Sequence, residues 1–263
     1  MSIDSFKKDI DLAAEILGSN TGYIFNRKLI DKLFENSSPS LEDICIRLIA
    51  IDSLYSTNMS KRLFGIQDLA SAIYDIGNDV QLENEILKYK KKEESKIDGL
   101  LSAPYGIEKK DAGKKDAEGK EARSLISKYL YFVAKHDFPI EDSLVKENIE
   151  DALKYYGVAQ GKNGEDLLYF LISFCADNGI FLDKFDNFMW LLGKINKGSL
   201  YLIVEKDAYC SIFEKLEIHA TKSSEIDDEV SRKLKIDSTI EEILVSDELR
   251  EFLRINKKIH KEK

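Results

Sequence analysis

Apolar side chains recur every three to four residues along most of this chain, which is the spacing of one face of an α-helix. The pattern predicts helices at about residues 5–18, 28–34, 41–51, 61–76, 80–94, 122–135, 144–156, 163–176 and 184–194. A short apolar run at 199–204 is strand-like, but its length cannot separate a strand from a buried helix. We therefore predict an all-α fold.

The helix predicted at 41–51 is apolar on nearly all sides, whereas the others carry a single apolar stripe. Ser40 is a good N-cap for it, and Glu42 and Asp43 stand in the first turn, where the helix dipole favours negative charge. A helix without a polar face is typical of the middle of a domain. We expect this helix to be central and buried.

Composition supports the helical interpretation and limits the function. The 263 residues include only 14 glycines and 3 prolines, too few for a many-turned β-sandwich, and the apolar fraction of 43% allows a sizeable core. The net charge of −9 argues against a protein that coats nucleic acid or anionic membrane along its whole surface. A local basic face could still bind DNA, because charges act within a Debye length.

Cysteine and histidine spacing gives no sign of a metal centre or a disulfide framework. We expect neither a metal nor another cofactor, and we interpret Cys45, Cys175 and Cys210 as reduced thiols. No apolar run reaches the roughly 20 residues that span a bilayer. The charged N-terminus lacks the core of a signal peptide. These features predict a cytoplasmic protein without a membrane partner.

Two stretches differ from the helical background. Residues 102–121 combine Pro104 with three glycines and five lysines, a composition typical of a mobile loop. Residues 205–254 carry 14 acidic against 8 basic side chains, and we expect two or three helices there, followed by a frayed basic tail from Asn256. The acidic segment is a candidate surface for a protein partner.

Two further segments carry a resemblance to a known family. An apolar helix followed by a polar break and an amphipathic helix occupies 41–76, and residues 122–145 read ARSLISKYLYFVAKHDFPIEDSLV. Together they resemble the helix-hairpin-helix DNA glycosylase superfamily, especially its 8-oxoguanine-glycosylase-like branches. In that family a loop of the form Pro-(Val/Ile)-x-Asp supplies the catalytic aspartate, and the matching residue here is Asp142. The segment 185–194 is similar to the family's closing helix.

The resemblance implies a two-lobed helical core over residues 1–204 and duplex DNA as partner. The central lobe would span about 41–145 and the second lobe 1–40 plus 146–204, with 205–263 as an acidic appendage ending in the basic tail. It also implies sets of site residues. Phosphates would be held by Lys109, Lys110, Lys114, Lys115, Lys120 and Arg123. Tyr55, Tyr129 and Trp190 would line the pocket for a flipped base.

The catalytic lysine is the point at which this chain departs from the family. Members with lyase activity place a nucleophilic lysine 18 or 19 residues before the aspartate, and those positions here are Ser124 and Arg123. Lys128, 14 residues before Asp142, is the second catalytic candidate, although its place at the edge of an apolar stripe also suits a side chain that reaches solvent. The family's glycine hairpin string is absent from the sequence.

Three functions therefore stay open at this stage. The first is a DNA N-glycosylase that binds duplex DNA and excises or probes a damaged or modified base. The second is a catalytically silent relative that serves as an interaction or nucleic-acid-sensing module, for example in phage defence. A helical scaffold unrelated to DNA is the third.

Overall fold

The computed structural model describes residues 2–19, 21–55, 57–108, 119–158, 166–197 and 247–260. Helices dominate these ranges, which confirms the all-α prediction. The α-helices are α1 (Ile3–Ser19), α2 (Thr21–Leu33), α3 (Leu41–Tyr55), α4 (Gly65–Ile76), α5 (Asp79–Lys90), α6 (Lys96–Ser102), α7 (Arg123–Val133), α8 (Ser143–Tyr156), α9 (Leu167–Asn178), α10 (Leu182–Asn196) and α11 (Asp247–Ile259). A short 3-10 helix at Met59–Lys61 precedes α4.

Within the described ranges, four two-residue strands connect the loops around α4. They are β1 (Arg62–Leu63), β2 (Pro104–Tyr105), β3 (Ile107–Glu108) and β4 (Lys120–Glu121). The pairs β1–β3 and β2–β4 are antiparallel. The ends of the stretch expected to be a loop are therefore hydrogen-bonded, whereas residues 109–118 lie outside the described ranges.

The chain forms two compact units, each assembled from separated segments. Unit 1 contains Met1–Phe25, Ser143–Asn163 and Lys184–Lys263, and unit 2 contains Asn26–Asp142 and Gly164–Asp183. The lobe and appendage boundaries expected from the resemblance stay a prediction. The strand-like run 199–204 and most of the acidic segment lie outside the described residues.

Helix α7 is the most enclosed helix of unit 2. Every residue from Leu125 to Val133 is buried, including Ser127 and Lys128. Helices α3, α5 and α6 pack against it. The prediction that α3 is buried on nearly all sides is wrong, because Ile46 and Ile49 are 52% and 55% exposed.

Aromatic rings build the core of unit 1. Phe6 of α1 stacks on Tyr156 of α8 with the ring centres 4.4 Å apart, and it meets Phe188 of α10 edge to face at 5.2 Å. Phe252 of α11 closes the cluster on Phe188 at 5.6 Å. The basic tail expected to be frayed from Asn256 is instead helical up to Ile259, because these residues form the last turn of α11 and Ile259 is buried.

A carboxylate on the rim of this core gives unit 1 a pH-dependent stability. Burial raises the pKa of Asp9 above its ordinary value, against the opposing effect of the hydrogen bond that the Tyr156 hydroxyl donates to it. Glu251 adds to the rise. The folded state therefore binds a proton at Asp9 more readily than the unfolded state does. The contribution of Asp9 to stability falls as the pH rises from the ordinary aspartate pKa through the raised pKa of the folded state.

We expect Asp9→Asn to raise the thermal midpoint at neutral pH. Asparagine keeps an oxygen that accepts the Tyr156 hydroxyl but has no charge to desolvate. The gain should vanish below the ordinary aspartate pKa, where both side chains are neutral. Thermal melts between pH 3 and 7 would measure it, with Glu15→Gln, an exposed change on α1, as control. A gain that did not depend on pH would contradict this account.

Candidate functional site

Lys128 and Asp142, the two catalytic candidates, meet in unit 2. Lys128 lies one turn into α7, and its side chain is only 2% exposed. Its Nζ donates to Asp142 Oδ2 at 3.1 Å and to Ser124 Oγ at 3.0 Å. The position of Lys128 at the edge of the apolar stripe also suited a side chain that reaches solvent. The structure shows the opposite, because the ammonium group is buried. A buried lysine needs partners of this kind, because an unpaired charge in the interior is costly.

The main chain just before Asp142 is fixed by the same face of α7. The buried Ser127 hydroxyl accepts from the backbone N–H of Glu141 at 3.0 Å. Arg123 donates through Nε to Glu141 Oε2 at 2.8 Å, and its Nη2 lies 2.5 Å from Asp166 Oδ2. Residues 123, 124, 127 and 128 follow the i, i+4 spacing that places side chains on one helix face. Asp142 is therefore held both through its own carboxylate and through its neighbour.

The positive charge of Arg123 is paired with the carboxylates of Glu141 and Asp166. Burial alone would lower the pKa of its guanidinium, but the hydrogen bond and the charge of Glu141 outweigh burial and raise that pKa. Asp166 raises it further. Arg123 was expected to hold a DNA phosphate. In this structure its guanidinium binds the carboxylates of Glu141 and Asp166 and so stabilises the loop that carries Asp142.

The remaining phosphate-binding candidates divide between described and undescribed residues. Lys120 is exposed on β4. The other four, Lys109, Lys110, Lys114 and Lys115, lie outside the described residues. Their contribution to a DNA surface stays a prediction.

The three candidate base-pocket aromatics have different surroundings. Tyr55, half-buried at the end of α3, places its ring centre 5.8 Å from Lys128 Nζ. Tyr129 is fully buried in unit 2, and its hydroxyl accepts from Arg47 at 3.2 Å. Trp190 belongs to unit 1, where it packs on Tyr23. Of the three candidates, Tyr55 is thus the one whose ring the structure places beside Lys128 Nζ.

Sequence reasoning missed Ser124, Ser127 and Glu141 as members of the site. A signal for the first was present, because Ser124 and Lys128 are four residues apart on the helix predicted at 122–135. The contact of Ser127 with Glu141 had no such signal, because it depends on the path of the chain from the end of α7 to Asp142.

The chemistry available at the pair follows from its two groups. A carboxylate 17% exposed beside a buried amine can stabilise a developing positive charge and accept a proton. The amine can act as a nucleophile once that proton has left. Among the described residues no group of three or more His, Cys, Asp and Glu side chains is arranged to hold a metal ion.

Comparison of this chain with protein-family models, with curated proteins and with solved structures gives no match. None of the helices in the described ranges is long and apolar enough to cross a membrane. Two observations bear on function: the geometry of the Lys128–Asp142 pair, and the resemblance of the sequence segments that carry it.

Proposed function

We propose that this protein is a DNA N-glycosylase in which Asp142 and Lys128 carry the reaction. The observation that supports this most directly is the 3.1 Å contact between Lys128 Nζ and Asp142 Oδ2. Both residues were catalytic candidates from the sequence alone, where they are 14 positions apart. Lys128 lies on a helix, and Asp142 lies in the loop that follows that helix. Their side chains converge on one point.

The position of the amine also fits the family's chemistry. Ser124 stands 18 residues before Asp142, where lyase-type relatives carry their nucleophilic lysine. Lys128 lies one helical turn further along the same face of α7, and its Nζ reaches Ser124 Oγ at 3.0 Å. Lys128 thus brings an amine next to the residue that occupies the family's lysine position in the sequence, which supports the proposal.

The proposed reaction begins on a nucleotide flipped out of the duplex. As the bond between C1′ and the base nitrogen breaks, the base takes the electron pair and the sugar gains oxocarbenium character. Asp142 stabilises that cation. Either water or the Lys128 amine then forms the new bond to C1′. In the first case Asp142 accepts the proton that the water loses. In the second case Asp142 first accepts a proton from the Lys128 ammonium, and the free amine attacks C1′; the C1′–O4′ bond then breaks, O4′ takes a proton from the nitrogen, and a protonated Schiff base remains.

A second candidate function is a catalytically silent DNA-sensing relative. It is favoured by the 2% exposure of Lys128 and by its two hydrogen-bond partners, which hold the amine away from solvent. In that case the pair would stabilise the fold of unit 2 and would not react.

Borohydride trapping separates these functions. Purified protein would be incubated with duplexes that carry one abasic site or one oxidised, deaminated or alkylated base, and base release and covalent complexes would be measured on denaturing gels. We expect wild type to release a base and form a trapped complex, and Lys128→Gln to abolish trapping, because a carboxamide cannot form a Schiff base.

Lys135→Gln is the matched control, because Lys135 is 86% exposed on the segment that follows the same helix. It should leave trapping unchanged. Base release without trapping in wild type would assign the attack to water and leave Asp142 as the principal group. Absence of release from every duplex, with folding intact, would contradict the glycosylase proposal and favour the silent relative.

A further inference from the structure

Ser124 is a member of the site that the proposed reaction does not use. It lies in the first turn of α7 and is half-buried. Its hydroxyl oxygen accepts from Lys128 Nζ at 3.0 Å. The reaction at C1′ uses the Asp142 carboxylate and the Lys128 amine, so the proposed function leaves this hydroxyl group without a role.

The side chains of Ser124, Lys128 and Asp142 are arranged as nucleophile, base and orienting group. Lys128 Nζ lies 3.0 Å from Ser124 Oγ and 3.1 Å from Asp142 Oδ2. An activated serine has a base within about 2.6–3.2 Å and a third group that orients the base. The Lys128 side chain is 2% exposed, so its amine is shielded from water and held toward both partners. Serine–lysine pairs of this kind catalyse acyl transfer.

The start of α7 can supply the remaining group that acyl transfer requires, a donor to the developing oxyanion. The N-cap of α7 is Ala122, whose side chain cannot accept from the N–H groups of the first turn. These N–H groups have no partner within the helix. The backbone N–H of Ser124 is one of them, and a donor beside the nucleophile stabilises the negative oxygen of a tetrahedral intermediate.

The groups around Ser124 favour an uncharged acyl substrate. The Arg123 guanidinium is paired with Glu141 at 2.7 Å and with Asp166 at 2.5 Å. The positive charge next to Ser124 in the chain is therefore already neutralised, and an anionic substrate would gain little from it. The Tyr55 ring, with its centre 5.8 Å from Lys128 Nζ, adds apolar surface to the same place.

We propose that this protein also hydrolyses esters of small uncharged acyl groups, with Ser124 as the nucleophile, Lys128 as the general base and Asp142 as the group that orients the lysine. The inference goes beyond the proposed function, because it concerns a different bond and needs no DNA.

Acyl transfer and hydrolysis form one cycle. Asp142 takes a proton from the Lys128 ammonium, and the free amine takes the Ser124 proton as Oγ bonds to the carbonyl carbon. The bond from that carbon to the alcohol oxygen then breaks, and the alcohol leaves with the proton from Lys128. Water next attacks the acyl-serine and gives its proton to Lys128. The carboxylic acid departs, Ser124 Oγ takes that proton, and Asp142 returns its own proton to Lys128.

Acylation of Ser124 tests the inference on the full chain without DNA. Wild type would be mixed with p-nitrophenyl acetate or with an alkyl fluorophosphonate, from which an activated serine displaces fluoride. We expect a burst of about one p-nitrophenolate per protein molecule. Peptide mass spectrometry should place the acetyl and phosphonyl groups on Ser124. Ser124→Ala should show neither, and Lys128→Gln should slow both by about a hundredfold or more, the lower range for a general base.

Ser143 is an internal comparison in the same protein. It begins α8, and Lys197 Nζ lies 3.3 Å from its Oγ, but the Lys197 side chain is 42% exposed. Labelling of Ser143 to the same extent as Ser124, labelling of surface lysines alone, or no labelling would overturn the inference. Because the labelled residue is identified in wild type, this result does not depend on the folding of a variant. Ser102→Ala, at an exposed serine of α6, should leave the burst unchanged.

The outcomes also separate this inference from the glycosylase proposal. Acylation of Ser124 in a protein that releases no base would support the inference and contradict the glycosylase. Base release by a protein whose Ser124 is not acylated would support the glycosylase and contradict the inference.

Discussion

Asp142→Asn is expected to lower base release by at least about a hundredfold, the lower range of what a positioned acid–base group contributes. Asparagine preserves the size of the side chain and an oxygen that can accept from Lys128 Nζ. It removes the negative charge that would stabilise the sugar cation and accept the lysine proton. Because aspartate and asparagine cap helices about equally well, a capping role at the start of α8 would be nearly unchanged.

The same variant should lose some stability, because the buried Lys128 ammonium would lack its counter-ion. We expect a cost of about 1–3 kcal/mol, so activity should be assayed well below the melting temperature of both proteins. Asp137→Asn is the matched control: Asp137 is a 67% exposed carboxylate that pairs with Lys90. Base release that survives Asp142→Asn would remove Asp142 from the mechanism.

Arg47→Met is expected to destabilise unit 2 by about 3–5 kcal/mol, the usual cost of breaking a buried ion pair. The Arg47 side chain is 1% exposed and lies 2.9 Å from Asp79 Oδ1. It also donates to the carbonyl oxygens of Leu33 at 2.9 Å and Asn36 at 2.5 Å. Methionine fills much of the volume but leaves a buried carboxylate and two carbonyls without their donor.

Urea denaturation followed by circular dichroism would measure this loss, with Arg254→Met as control. Arg254 is 61% exposed in its pair with Glu251, and removal of such a surface pair costs at most about 1 kcal/mol. Adding Asp79→Asn to Arg47→Met should recover part of the loss, since no unpaired charge would then remain. Equal effects at Arg47 and Arg254 would refute the assigned role of the buried pair.

The helical content was predictable because apolar periodicity is a local property of the chain. Helix α7 illustrates both the success and its limit. Its boundaries matched the predicted 122–135 to within two residues, yet the pattern showed one apolar stripe where the fold buries every residue from Leu125 to Val133. Burial of Ser127 and Lys128 depends on their hydrogen bonds to Glu141 and Asp142 in the loop after α7. The spacing of apolar residues along the chain cannot predict such bonds.

Other differences also arise from tertiary contacts. Helix α2 begins at Thr21, well before the predicted residue 28, and α6 lies between the helix predicted at 80–94 and the loop predicted at 102–121, where no helix was predicted. The Ser95 hydroxyl accepts from the Ile97 N–H and so caps α6. A serine at this position is a short-range sign of a helix start, but it follows a run rich in lysine that does not show an apolar stripe. Of the site, Asp142 and Lys128 were named from sequence, whereas Ser127 and Glu141 required the path of the chain in space.

The segment order of the two units has a consequence for synthesis on the ribosome. Unit 2 is complete once residue 183 has emerged, whereas unit 1 begins with α1 and still lacks α11, which packs on α1 and α8. The face of α1 that packs on α11 is therefore covered only after residues 247–259 have been made. Phe188 also lacks its contact with Phe252 until then, and we expect a chaperone that binds exposed apolar helices to bind this part of unit 1 during the interval.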